Sequence, residues 1–319
     1  MAERLRLLVV SAMFPTTDDP VRGIVVAREV QRLRAAGVDV RVIGKDPGWG
    51  GYARQARALL RQRRWPHVVH AHYGTSGFVV RLMRGRTPFV LTLHGSDVAH
   101  GARPGASKYW LQFLLSVVGA DGARAVLLQD ESMASTLPAR LRTRAEVLGQ
   151  PVSLPADALP KTREGLLFLA DRDRPVKRFA LASEVARRVG RTLDSLDRHP
   201  PDGVATALRH ARVGLLTSER EGLPVAVKEA MAAGLRVVSV RLPSLESLAE
   251  QVGEEVLLLT GEAPAELATG VRRLLALPPL DAGGVGRVHD VLRRRGWTSE
   301  QHTAALLGTY AALRDRGPE

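Results

Sequence analysis

Thr217-Ser218-Glu219-Arg220-Glu221-Gly222-Leu223-Pro224 runs directly into Val225-Ala226-Val227-Lys228-Glu229-Ala230-Met231-Ala232-Ala233-Gly234. An apolar run, Val213 to Leu216, leads in, and another, Val237 to Val240, follows. Strand, loop, helix, strand is the repeating unit of a parallel α/β sheet. Pro224 suits the first turn of the helix, where its missing N–H is an orphan in any case. The amides of Gly222, Leu223 and Val225, with the positive end of the helix, make a place for an anion. Glu221 precedes the helix and Glu229 lies inside it, ~8 Å further along at 1.5 Å per residue. Each carboxylate can accept two hydrogen bonds, which suits the hydroxyls of a sugar. The plainer alternative is an ordinary helix start, where glutamate is common.

The same alternation extends in both directions. Strands are predicted at Leu5 to Ser11, Val38 to Ile43, Val68 to Ala71, Phe89 to Leu93 and Ala125 to Leu128. Helices are predicted at Ile24 to Ala36, Arg54 to Arg64, Gly77 to Met83, Lys108 to Val118 and, capped by Asp130, Glu131 to Leu141. Gly149, Pro151, Pro155 and Pro160 mark a boundary. Beyond it come a strand at Leu166 to Ala170, a helix at Phe179 to Val189, a weak strand at Leu193 to Leu196 and a short helix from Val204 to Arg209. After the opening unit, helices are predicted from Pro264 to Leu275 and from Trp297 to Leu313. This predicts an α/β fold of two Rossmann-like domains facing across a cleft. Residues 1–150 form the N-terminal acceptor-side domain, 151–300 a shortened donor-nucleotide domain, and 301–319 a closing helix that crosses back to the first domain.

Bulk composition narrows the setting. A chain of 319 residues with 45% apolar and 25% charged residues suits two globular domains. The absence of cysteine excludes disulfides, thiol catalysis and Cys-zinc sites. No apolar run approaches the ~20 residues of a membrane span, and the N-terminus lacks a signal-peptide pattern. The expectation is a cytoplasmic protein, soluble or peripheral at the inner membrane face. Residues 1–150 hold 22 Lys+Arg against 11 Asp+Glu, so nearly all of the net +13 lies there. That half is expected to meet something anionic, a membrane surface, a lipid phosphate or nucleic acid, unless the excess only reflects a general preference for arginine. Arg54, Arg57, Arg61, Arg63 and Arg64 concentrate it on one basic helix with Tyr52, Leu59, Leu60 and Trp65, readable as a membrane-surface helix or as a plain surface helix.

Two further constellations carry chemistry. Asp171-Arg172-Asp173-Arg174-Pro175-Val176-Lys177-Arg178 sets four cations at the end of a strand, where Arg offers a fork to phosphate and Lys a mobile point charge. A solvated turn is the ordinary alternative, and a DxD metal site through Asp171 and Asp173 is a third, disfavoured one. His94-Gly95-Ser96-Asp97 ends a very apolar strand and could orient an acceptor. His70 and His72 share a strand face, but nothing nearby in the sequence adds a third ligand, so no metal site is expected.

Together these stretches resemble the retaining GT-B glycosyltransferases of family 4, over nearly the whole chain. Glu221-x7-Glu229 with Ala-Met-Ala-Ala-Gly is similar to that family's EX7E signature, and the His94 stretch to its TxHGxD segment. Arg172-x4-Lys177, the loop and helix from Gly23 to Gly37, and Trp297 with Tyr310 fall in matching places. The resemblance implies that Arg172 and Lys177 bind the donor diphosphate, Glu229 the ribose, and Glu221 with the amides of Gly222 and Leu223 the donor sugar. His94 and Asp97 would lie near the anomeric carbon, and Gly23 near the diphosphate or acceptor. It implies a metal-independent hexosyltransferase that uses a nucleotide-diphospho-sugar, needs no cofactor and binds no nucleic acid. The acceptor would be a polysaccharide, a lipid-linked glycan or a small molecule. Three departures stand out: Gln150-Pro151-Val152-Ser153 replaces the usual Asn-Gly-Val-Asp linker, Asp171 replaces a glycine, and the base-binding region is thin. They leave open Arg172 against Arg174 as phosphate ligand. They also leave a non-catalytic nucleotide-sugar binding protein as the rival, or another GT-B enzyme such as a sugar-nucleotide epimerase.

Overall fold

The computed structural model describes residues 3–19, 22–46, 48, 50–95, 97–98, 107–155, 162–200 and 203–315. Ser96 and Pro160, singled out above, lie outside them. The chain divides into two compact units, Met1–Gln150 with Glu300–Glu319, and Pro151–Ser299.

In the first unit the order is β1 (Arg6–Ser11), α1 (Ile24–Ala35), β2 (Asp39–Ile43), α2 (Gly50–Gln62), β3 (Val68–His72), α3 (Gly74–Met83), β4 (Phe89–Leu93), α4 (Ser107–Gly122), β5 (Ala125–Leu128), α5 (Ser132–Thr136), α6 (Ala139–Arg142) and β6 (Ala145–Val147). All pairings are parallel, in the order β2-β1-β3-β4-β5-β6. Strand β1 is buried on both faces: Leu8 and Val10 join one core, Leu7 and Val9 the other. That is the pattern of a parallel strand with helices on either side. The helix predicted over Glu131–Leu141 is in fact two. Pro138 disfavours helical backbone in the residue before it, and Leu137 is accordingly extended at ψ 148°. The N-cap of the first piece is Glu131, one residue after the expected Asp130.

The second unit runs β7 (Glu164–Phe168), α7 (Phe179–Val189), β8 (Leu193–Ser195), α8 (Val204–His210), β9 (Ala211–Leu216), α9 (Val225–Ala232), β10 (Arg236–Val240), α10 (Pro243–Val252), β11 (Leu257–Thr260), α11 (Pro264–Ala276) and α12 (Ala282–Arg294). Its sheet is parallel too, in the order β11-β10-β9-β7-β8. The last helix, α13 (Ser299–Asp315), then joins the first unit, where Leu306, Tyr310 and Leu313 are buried beside Leu7, Val9 and Val90. Trp297, expected on the same closing helix as Tyr310, precedes α13 and packs on the second unit's core. No helix among the described residues is long and apolar enough to cross a membrane.

Candidate functional site

In an open parallel sheet, ligands collect beyond the strands' C-terminal ends, where neighbouring strands send their connections opposite ways. In the second unit that point lies between β7 and β9. The loops leaving these strands carry Arg172 to Arg178 and Thr217 to Pro224, so the topology brings both sequence motifs to one place. Backbone and side chains lock them together. The Glu219 amide donates to the Val176 carbonyl (2.9 Å), and the Thr217 hydroxyl to the carbonyls of Lys177 (2.9 Å) and Arg178 (3.1 Å). Arg178 holds an uncommon left-handed backbone (φ 54°), and its guanidinium donates to the Thr217 carbonyl (2.6 Å) and to Glu262 (2.9 Å).

Within this frame Lys177 and Glu221 form an ion pair, both side chains largely withdrawn from water. Helix α9 starts immediately after, with Pro224 as its N-cap (ψ 118°) rather than inside its first turn. No side chain caps it, so its first amides remain open to a ligand. Gly222 is exposed, while Leu223 and Glu229 are half-buried. Arg172 and Arg174 are both exposed, but Arg172 is engaged by Asp197 at 3.0 Å. Carboxylate oxygens of Asp171, Asp173 and Asp197 lie within 4.8 Å of one another, an exposed acidic group beside Arg172.

Lys228 was not anticipated. It lies between Val227 and Glu229, three residues before Met231, and is fully buried with Nζ 4.9 Å from the centre of the Trp297 ring. Burial pushes its ammonium down to about 8, with Glu229 pulling the other way. Its place in the apolar stripe of Val227, Ala230 and Met231 was the available signal.

In the first unit the corresponding switch lies between β1 and β3. There a hydrogen-bond chain converges on His94. Gln150 donates to Gln129 (2.8 Å), and Gln129 donates to His94 Nδ1 (2.6 Å). His94 Nε2 then carries the proton and donates to His72 Nδ1 (3.1 Å), and His72 Nε2 faces Glu29 at 3.2 Å. Burial, then His72, pushes the His94 imidazole down to about 3 despite Glu29, so it is neutral at ordinary pH. The Tyr73 ring stacks on it at 4.2 Å. Burial would raise Glu29, but His72, His70 and His302 outweigh it and hold the carboxyl well below the usual range. Asp97 is turned inward: its Oδ2 accepts from the amides of His94 (3.0 Å) and Gly74 (3.3 Å), fixing the loop. Gly23 is the left-handed N-cap of α1 (φ 63°), and any side chain there would collide with the Met13 carbonyl.

Glu29 supplies the third ligand atom that the sequence around His70 and His72 lacks. The three offer atoms within 4.8 Å of one another, and Glu29 stands 3.4 Å from His70. Yet His70 is engaged at both nitrogens, by the Tyr310 hydroxyl (2.7 Å) and the Thr92 hydroxyl (2.8 Å), leaving it no lone pair for a metal while those bonds persist.

Residues 18–151 match the family described as glycosyl transferase 4-like domain, and residues 156–277 match glycosyl transferases group 1. No curated protein matches the chain in sequence. Among solved structures, sucrose-phosphate synthase from Thermosynechococcus elongatus is similar at 15% identity and TM-score 0.73, covering 98% of this chain and 100% of that one. Anabaena HepE in complex with UDP and glucose is similar at 12% identity and TM-score 0.70 (97% and 100% covered). The E. coli trehalose-6-phosphate protein bound with UDP-2-fluoro glucose follows at 13% and TM-score 0.66 (98% and 100%). The two parallel α/β units thus have the GT-B fold.

Proposed function

On a chain built of a glycosyl transferase 4-like domain followed by a glycosyl transferases group 1 domain, we propose a retaining, metal-independent glycosyltransferase that uses a nucleotide-diphospho-sugar. The observation that carries this reading is the Lys177–Glu221 pair at the β7/β9 switch, directly before the uncapped start of α9. A diphosphate arriving there finds a cation and open amides, and its charge competes with Glu221 for Lys177. Glu221 is then released to accept hydrogen bonds from the donor sugar, beside the amides of Gly222 and Leu223. Glu229 takes the ribose. Lys177 and the helix start stabilise the negative charge on the departing nucleoside diphosphate as the glycosyl bond breaks. Arg172, tied to Asp197, has to leave that partner before it can assist; Arg174 is the alternative. In the first unit neutral His94, with Tyr73, Asp97 and Gly23 shaping the loops around it, faces the acceptor side. UDP-sugars are the first donors to consider, since two of the similar structures contain UDP or a UDP-sugar. A polysaccharide, lipid-linked or small-molecule acceptor, and a cytoplasmic or membrane-peripheral location, belong to the same proposal.

Lys177→Ala and Glu229→Ala should each weaken UDP-glucose binding by roughly tenfold or more in calorimetry, the scale of one charge-assisted contact. If neither does, the donor site is misassigned. The acidic group beside Arg172 favours one second reading, a nucleotide-sugar binder without transfer. It predicts binding with no nucleotide release.

A further inference from the structure

Helix α4 is apolar on two sides. Residues advance by about 100° around a helix, so Trp110, Leu111, Leu114 and Val118 share one arc of about that width. They are 47%, 49%, 49% and 38% exposed. Ser116 and Ala120 point the other way and are buried, while Val117, at the edge of the arc beside Trp110, is turned into the core. On that inner side a Cβ on Gly119 would stand 2.7 Å from the Phe78 amide nitrogen, so α3 and α4 meet backbone to backbone. On the side against α3 the residues are small, while Trp110, Leu111 and Leu114 face water, the reverse of what burial within a monomer selects. Leu82 of the neighbouring helix α3 is 58% exposed as well. The contrast with α2 is direct. There Leu59 is buried against the sheet, Gln55 donates to the Ser11 carbonyl (3.1 Å), and the Tyr52 hydroxyl donates to Thr75 (3.0 Å). The apolar side of the basic helix is already occupied.

Cations stand beside the α3/α4 surface. Arg81 donates to the Val118 carbonyl (2.6 Å) and to Asp121 (3.2 Å), Arg140 reaches the same Asp121 (3.2 Å), and Arg86 is exposed just beyond α3. Asp121 offsets only part of that charge, in a stretch of chain with 22 Lys+Arg against 11 Asp+Glu. We propose that the outward face of α4, with Leu82 and these arginines, docks on an anionic lipid bilayer. Trp110 and the leucines enter the headgroup boundary and the arginines meet lipid phosphates. The helix starts from the connection that leaves β4 at its C-terminal end, so its Trp110 end lies toward the side of the sheet where His94 stands. A lipid-linked acceptor held in that bilayer would approach from there; this part rests on the glycosyltransferase reading.

The test is co-sedimentation of the full chain with phosphatidylcholine vesicles, with and without phosphatidylglycerol, at low and high salt. Wild type should bind the anionic vesicles and weaken as salt screens the attraction. Leu111→Glu with Leu114→Glu should cut partitioning roughly tenfold or more, Trp110→Ser should cut it less, and Leu60→Ser on α2 should leave it unchanged. UDP-glucose binding, followed in the same samples, should persist in every variant, so loss of donor binding and loss of docking are read separately. Wild type that ignores anionic vesicles, or a double variant that still binds them, overturns the proposal. So does sedimentation equilibrium showing a dimer that the double variant dissolves.

Discussion

His94 behaves as its neighbours dictate. Buried next to His72, it takes up a proton only near pH 3 in the folded chain, whereas an unfolded histidine does so near its ordinary 6.5. Between those values the unfolded state binds more protons, so folding stability falls as pH drops below about 6.5. His70, also pushed well below its usual value by burial, acts in the same direction. Glu29, held low, loses its contribution only further down, below its ordinary 4.5. Thermal melts should therefore show a lower midpoint at pH 5 than at pH 7. His94→Gln should narrow that gap, because glutamine does not titrate; an unchanged gap would remove His94 as a source. What the sequence could say of this cluster was limited by distance along the chain. His70 and His72 are two apart and plainly share a face, but Glu29 reaches them from α1, and no local spacing encodes that meeting. The Glu221 loop was more legible because its chemistry lies within one strand–loop–helix unit. Lys228 is hidden from a sequence reading because a lysine next to a glutamate reads as solvated until the apolar helix face of Val227, Ala230 and Met231 is drawn.

At the level of elements, short-range signals worked where period and breakers agreed. Helix α7 and strands β4 and β5 lie where their apolar spacing put them. The single helix expected over Glu131–Leu141 splits into α5 and α6 because Pro138 outweighs the apolar period around it. Strand β6, with three residues of which two are exposed, is too short to show alternation. Helix α12 carries Gly283, Gly284 and Gly286, which lower helix propensity, and its start is capped by Asp281, which accepts from the Gly284 amide at 2.7 Å. The α3–α4 contact is a stricter case, since it depends on what is absent. Gly119→Val should lower unfolding free energy by about 3 kcal/mol or more, since the added side chain meets backbone that cannot yield. Urea denaturation checks this, and a loss within ordinary surface-mutation scatter would mean the helices are not in backbone contact.

For the whole molecule, two parallel sheets with different strand orders present two switch points, and the sequence motifs sort between them. Lys177, Glu221 and Glu229 belong to the unit of residues 151–299, and His94, Asp97 and Gly23 to the other. Alternating strands and helices with a proline-marked boundary made the α/β architecture readable, since each unit obeys the same local grammar. The origin of the chain's basicity was less so, because composition locates charge in a half without saying which surface carries it. The return of α13 to the first unit ties Tyr310 to His70 on β3, a meeting that no local pattern encodes. The central claim, that these units bind and cleave a nucleotide-diphospho-sugar, is tested most directly by nucleotide release. Purified chain would be incubated with UDP-, GDP- and ADP-sugars, with and without EDTA. The account predicts slow release of one nucleotide diphosphate that EDTA does not abolish and that Lys177→Ala suppresses. Donor binding without any release across the panel, or release that disappears on chelation, would contradict it.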